Sequence, residues 1–165
     1  MLIWSGSMMA ALSAAFSLVL MQAAPATPVK AGAAPMALFV CEHGAAKSVI
    51  AAAYFNRLAK EKGLPHRAVF RGANPEDELT PATRAGLTRD GFDVRDWSPV
   101  KVASADVKAA EIAVVFACQI PGKPNPTAIS MDWGEVPNVS DGYDAARDAI
   151  VVHVKALIDQ LAARR

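Results

Sequence analysis

Short unbroken apolar runs alternate along the chain with longer stretches in which apolar residues recur every three or four positions. Residues 37–40 (Ala-Leu-Phe-Val) are the first run and predict a short buried strand. From 48 to 62, Ile50, Tyr54 and Leu58 fall in helical step and Gly63 supplies the stop. Residues 67–71, with Val69 and Phe70, predict a second strand ending at Gly72-Ala73-Asn74. Thr80 and Pro81 then open a helix to about Arg89, Thr80 as N-cap and Pro81 in the first helical position, and Gly91 ends it. A further helix is predicted over 104–110. The run 112–116 is apolar throughout, as in a strand buried on both faces of a parallel sheet. Residues 121–126 are a Pro/Gly/Asn loop, and 129–133 predict a short last strand. A long helix over 142–163 puts Ile150, Val154, Leu157 and Leu161 on one face. Strands alternating with helices predict an α/β domain, a single doubly wound parallel sheet of about four strands with helices on both faces. Ligands of such sheets bind at the carboxyl ends of the strands.

The first 36 residues depart from this pattern. Residues 8–21 are almost wholly apolar or small, Ala24-Pro25-Ala26 resembles a small-residue cleavage site, and 27–35 form an Ala/Pro/Gly linker. Segment 1–27 therefore reads as a signal peptide or N-terminal apolar segment, 28–36 as a linker and 37–165 as the folded domain. No Lys or Arg precedes Lys30, so the usual basic start of a signal is missing. The apolar run is short against the roughly 20 residues of a spanning helix, so no stable membrane span is expected after processing. Export would put the domain in the periplasm. A misassigned start, with the working chain beginning near Met36, would leave it in the cytoplasm.

Composition narrows the chemistry. With 165 residues, 53% of them hydrophobic, and a net charge of +1, the chain can bury a full core and has no charge bias toward nucleic acid. Two cysteines are too few for a disulfide framework. No Cys/His cluster has zinc-ligand spacing, and the functional reading reached below implies neither a metal nor an organic cofactor.

The chemistry-bearing stretch is Cys41-Glu42-His43-Gly44-Ala45-Ala46-Lys47-Ser48, lying between the first strand and the first helix. A strand running through a tight loop into a helix aims backbone N–H groups at one point on the positive end of the helix dipole, which makes an anion site. Cys41 stands at the first position, where that field favours thiolate over thiol. Gly44 supplies positive φ, Lys47 adds a cation, and the Ser48 hydroxyl can bond the sulfur or cap the helix. The plainer alternative is that Cys41 is a small buried hydrophobe at a strand end.

Phe39-Val40-Cys41, five residues, a cation and Ser48 together resemble the phosphate loop of the low-molecular-weight protein tyrosine phosphatases and the related thioredoxin-coupled arsenate reductases. The resemblance covers 37–161. It includes Thr80-Pro81, Gly91-Phe92-Asp93-Val94, Ser98-Pro99 and the apolar strand before Cys118. The family pattern is Cys-x5-Arg-Ser. Here Lys47 replaces the planar guanidinium fork with a point charge, Gly44 replaces an asparagine, and Glu42 puts a carboxylate into the loop.

The resemblance implies a cysteinyl-phosphate route for a small oxyanion or phosphorylated substrate. Cys41 would be the nucleophile, the 41–48 backbone (Glu42, His43, Gly44, Ala45, Ala46, Lys47, Ser48) the anion cradle, and Lys47 the charge stabiliser. The family's acid is the aspartate of an Asp-Pro pair on a late loop, and this chain contains no Asp-Pro. Of the carboxylates in the matching region, Glu135 and Asp141, Asp141 is the preferred acid; alternatively it or Ser140 caps the last helix. His43 is either an alternative acid or a partly exposed loop residue without a catalytic partner. Cys118 matches the cysteine with which arsenate reductases resolve the modified nucleophile, which implies oxyanion reduction with an external thiol as the second activity; alternatively Cys118 is a buried strand-end thiol. The third cysteine of that relay is absent. A third reading is an anion- or partner-binding protein of weak catalysis. Arg71 could reach the same face or remain a solvated strand-end charge.

Overall fold

The computed structural model describes residues 34–164. The proposed signal segment 1–27 and the linker up to 33 lie outside the described residues. The elements run β1 (Met36–Cys41), α1 (Lys47–Glu61), β2 (Arg67–Gly72), α2 (Pro81–Arg89), α3 (Ser104–Ala109), β3 (Ile112–Val115), β4 (Ile129–Asp132), a 3-10 turn (Val139–Asp141) and α4 (Tyr143–Ala162). The strands form one parallel sheet in the order β2-β1-β3-β4. Every predicted strand and helix is present, with ends moved by a residue or so.

Period-two alternation along β1 sorts the core. Phe39 and Cys41 face α1 and α4, packing with Val49, Ile50, Phe55, Ile150 and Val154. Leu38 and Val40 face the opposite way, against Val102, Val107 and Ala110 around α3. Leu38, Phe39 and Val40 are at most 1% exposed, and each such side chain contributes about 1.5–3 kcal/mol of burial. From β1 the chain goes to one side for β2, then crosses to the other side for β3. The β1/β3 border is thus a topological switch point, and Cys41 ends the strand there.

A polar hub locks the helices of the site face. Asp90, at the end of α2, accepts the Tyr54 hydroxyl of α1 at 2.8 Å and the Tyr143 hydroxyl of α4 at 2.7 Å. The Arg147 guanidinium adds a contact at 3.4 Å. Burial pushes the Asp90 carboxyl up, but the bonds from Tyr143 and Tyr54 and the Arg147 charge outweigh it and hold it below the usual range. Burial and the Asp90 carboxylate push Tyr54 up to about 12 and raise Tyr143 as well. Gly86 leaves room for the Tyr143 ring, which a Cβ there would overlap. Among the described residues no helix is long and apolar enough to cross a membrane.

Candidate active site

The 42–46 loop is held from outside by the segment that follows β2. The carbonyls of Cys41, Glu42, His43 and Ala45 accept from the N–H groups of Ala73 (3.0 Å), Asn74 (2.7 Å), Glu76 (3.0 Å) and Thr80 (3.1 Å). In a planar trans peptide the carbonyl of one residue and the N–H of the next point in opposite directions. The N–H groups of Glu42, His43, Gly44 and Ala46 therefore point away from 73–80. Among the described residues, none of them has a protein acceptor. Four such donors ahead of the α1 N-terminus, at the positive end of the helix dipole, are chemically suited to an anion. Gly44 has φ of +62° and lies directly against Gly72.

Cys41 stands at the start of this loop, 5% exposed, with its Sγ 3.1 Å from the fully buried Ser48 Oγ. The hydroxyl thus serves the sulfur. The helix itself begins after Ala46 without a side-chain cap.

Above the loop opens a cavity of about 710 Å³ with Cys41 in its wall. Its lining also includes His43 and Glu76, Thr80, Pro81 and Ala82, and Phe116, Ala117, Gly134 and residues 138–140. Lys47 borders the cavity but donates to the Val136 carbonyl at 3.2 Å and to Asn138 Oδ1 at 3.4 Å. It ties the start of α1 to the late loop 134–141. That loop is anchored below by Trp133, which packs on Phe39 and Phe116 with ring centres 5.7 and 5.9 Å away.

The remaining predicted residues are dispersed. Glu42 accepts from Asn74 Nδ2 at 2.6 Å. His43 Nδ1 is 3.7 Å from Glu76 Oε1. Asp141 is exposed, accepts from Ser140 Oγ at 3.4 Å, and follows the last wall residue, Ser140. Neither Ser140 nor Asp141 caps α4, whose N-cap is Gly142. Glu135 pairs with His153 of α4 at 2.9 Å. Arg71 turns to the α3 side, where its Nε donates to Asp106 at 3.1 Å, and it takes no part in the cavity wall.

Cys118 shares the carboxyl edge of the sheet with Cys41 but packs on the opposite face with Leu38 and Val40, its Sγ donating to the Val40 carbonyl at 3.3 Å. Ala117, at φ +50°, makes the turn that sends it there. Burial raises the Cys118 thiol above its ordinary range, and the neighbouring Cys41 and Glu42 add to the rise. Sequence reasoning missed Glu76, Phe116 and Asn138.

The family model for low molecular weight phosphotyrosine protein phosphatase matches residues 36–131. The chain belongs to this family. Within the low molecular weight phosphatase family, the fold is shared with a thioredoxin-dependent arsenate reductase of Corynebacterium glutamicum (TM-score 0.69, 22% identity, 82% of this chain and 65% of that one). It is shared equally with YfkJ from Bacillus subtilis (0.70, 19%, 82% and 99%). The tyrosine phosphatase Wzb from Escherichia coli K30, solved with sulphate, is a third relative in fold (0.62, 14%, 76% and 97%). This chain thus spans just under two thirds of the Corynebacterium reductase. No curated protein sequence matches it. The family match ends at Met131, so the late loop and α4 lie beyond it.

Proposed function

We propose that the domain hydrolyses phosphate monoesters of the phosphotyrosine kind through a cysteinyl-phosphate intermediate. The carrying observation is the set of four unpartnered amides over the Cys41–Ser48 pair, at the inner end of a cavity roomy enough for an aryl group. The amides hold the equatorial oxygens as charge builds on them. Ser48 donates to the Cys41 thiolate, and Sγ attacks phosphorus as the bond to the leaving oxygen breaks. Lys47 supplies positive charge at the rim. Water then attacks phosphorus, the S–P bond breaks and the thiolate returns.

Oxyanion reduction is the second reading, favoured by the Cys118 thiol one residue's carbonyl away from the nucleophile. It needs the Cys118 segment to turn across the sheet edge, because the two side chains pack on opposite faces. It also needs an external thiol to restore the pair. Acid-quenching the protein during turnover of an arylphosphate and mapping phosphate onto Cys41 by mass spectrometry tests the first reading. Arsenate reduction that consumes thiol, without phosphoryl-Cys41 ever forming, would replace it with the second. Phosphate binding with neither reaction would leave an anion-binding protein.

A further inference from the structure

We propose that His43, steered by Glu76, protonates the leaving group in place of a late-loop carboxylate. The inference rests on the hydrolytic reading above. A cysteine phosphatase needs a proton donor facing the cavity beyond the phosphorus. Apart from Cys41, the titratable side chains in the cavity wall are Glu42, His43, Lys47 and Glu76. Glu42 is engaged by Asn74, and Lys47 is engaged by the late loop. The two late-loop carboxylates are elsewhere, Glu135 on His153 and Asp141 outside the wall. His43 and Glu76 remain.

Their geometry suits the task. The Glu76 N–H donates to the His43 carbonyl at 3.0 Å, which fixes the two residues beside each other, with His43 two positions from Cys41. Glu76 Oε1 stands 3.7 Å from His43 Nδ1, leaving Nε2 as the nitrogen for chemistry. Both side chains are half-exposed at the cavity mouth (61% and 49%), the side from which an ester would enter.

In the first half-reaction the imidazolium gives its Nε2 proton to the leaving oxygen while the S–P bond forms and the P–O bond breaks. In the second, neutral Nε2 takes a proton from water as that water's oxygen attacks phosphorus and the S–P electron pair returns to sulfur. The histidine is thus restored in each cycle, with water as the only co-reactant. Glu76 is a positioning residue that acts through His43.

The test compares wild type, His43→Gln, His43→Asn, Glu76→Gln and Asp141→Asn on aryl phosphates graded from dinitrophenyl to phenyl. Both His43 variants are expected to lose about 10²-fold or more on phenyl phosphate and far less on dinitrophenyl phosphate, whose leaving group needs no proton. Glu76→Gln is expected to show a smaller loss with the same dependence on leaving group. Inhibition by inorganic phosphate should persist in all variants, which separates proton donation from damage to the cradle. In kcat/KM, which reports only the half-reaction that expels the leaving group, a loss shared equally by all substrates, or a steepened dependence in Asp141→Asn instead, overturns the inference and leaves hydrolysis standing. Absence of turnover by reduced wild type overturns the hydrolytic reading and this inference with it.

Discussion

The backbones of Gly44 and Gly72 are in direct contact: a Cβ on Gly44 would lie 2.8 Å from the Gly72 nitrogen, and one on Gly72 would lie 2.9 Å from the Gly44 nitrogen. The 42–46 loop and the end of β2 thus meet where neither has a side chain. Gly72→Ala must push the loop off its support. It is expected to cost about 1–3 kcal/mol, as overpacking does, and to weaken inhibition by phosphate. Thermal melts with and without phosphate check both effects. A Gly72→Ala protein with full phosphate affinity would show that the cradle does not depend on this contact.

Cys118 is expected to react slowly with alkylating reagents. Burial raises it, so little thiolate is present at mildly acidic pH. Iodoacetamide at pH 6 is expected to modify Cys41 first, and added phosphate to protect Cys41 alone. Peptide mapping reads both. Equal rates, or protection of Cys118 instead, would contradict the anion-loop geometry.

Lys47 holds a place where the family has arginine. Lys47→Arg is expected to keep or raise arylphosphatase activity, since the guanidinium fork binds paired oxygens. Lys47→Met is expected to lose about 10²–10³-fold in kcat, on the scale of one oxyanion contact. Steady-state kinetics decide. An inactive Lys47→Arg enzyme would mean that the loop is tuned to a different anion.

The Asp90 hub makes stability depend on pH in a defined direction. Its carboxyl is held low in the folded state, so its contribution is complete above the unfolded value near 3.9 and is lost as pH falls through the folded one. Tyr54, raised to about 12, contributes below about pH 10 and loses that contribution as pH climbs toward 12. Asp90→Asn is expected to lower the urea midpoint at pH 7, with the deficit shrinking in acid. A deficit that is constant from pH 7 to 3 would assign the loss to packing.

The elements were legible because their signals are local. Thr80 and Pro81 mark a helix start by their own chemistry, and the Thr80 side chain accepts from Thr83 N–H at 3.2 Å. The 112–116 run marks a strand covered on both faces. Cys41, Ser48 and the loop between them were legible for the same reason. What holds the loop was not, because 73–80 reaches it through backbone N–H groups, which almost any residue supplies. Glu76 therefore carried no sequence signal as a neighbour of His43. The direction of Arg71 follows from strand register, which pairs it with Val40 and so sends it to the α3 side. The facing of Cys118 follows from a left-handed residue, Ala117, which no glycine announces.

Because the carbonyls of Cys41, Glu42, His43 and Ala45 are bound from behind, the peptide planes that carry the four outward amides are already set before any anion arrives. The empty and occupied loops should share one backbone shape. Affinity then reflects the stripping of water from the ion set against its attraction to fixed dipoles, with little ordering cost to offset. Such a rigid receptor favours entry limited by encounter over entry limited by rearrangement. A loop so held would separate tetrahedral oxyanions by radius and charge, since it would not reshape itself around the larger one.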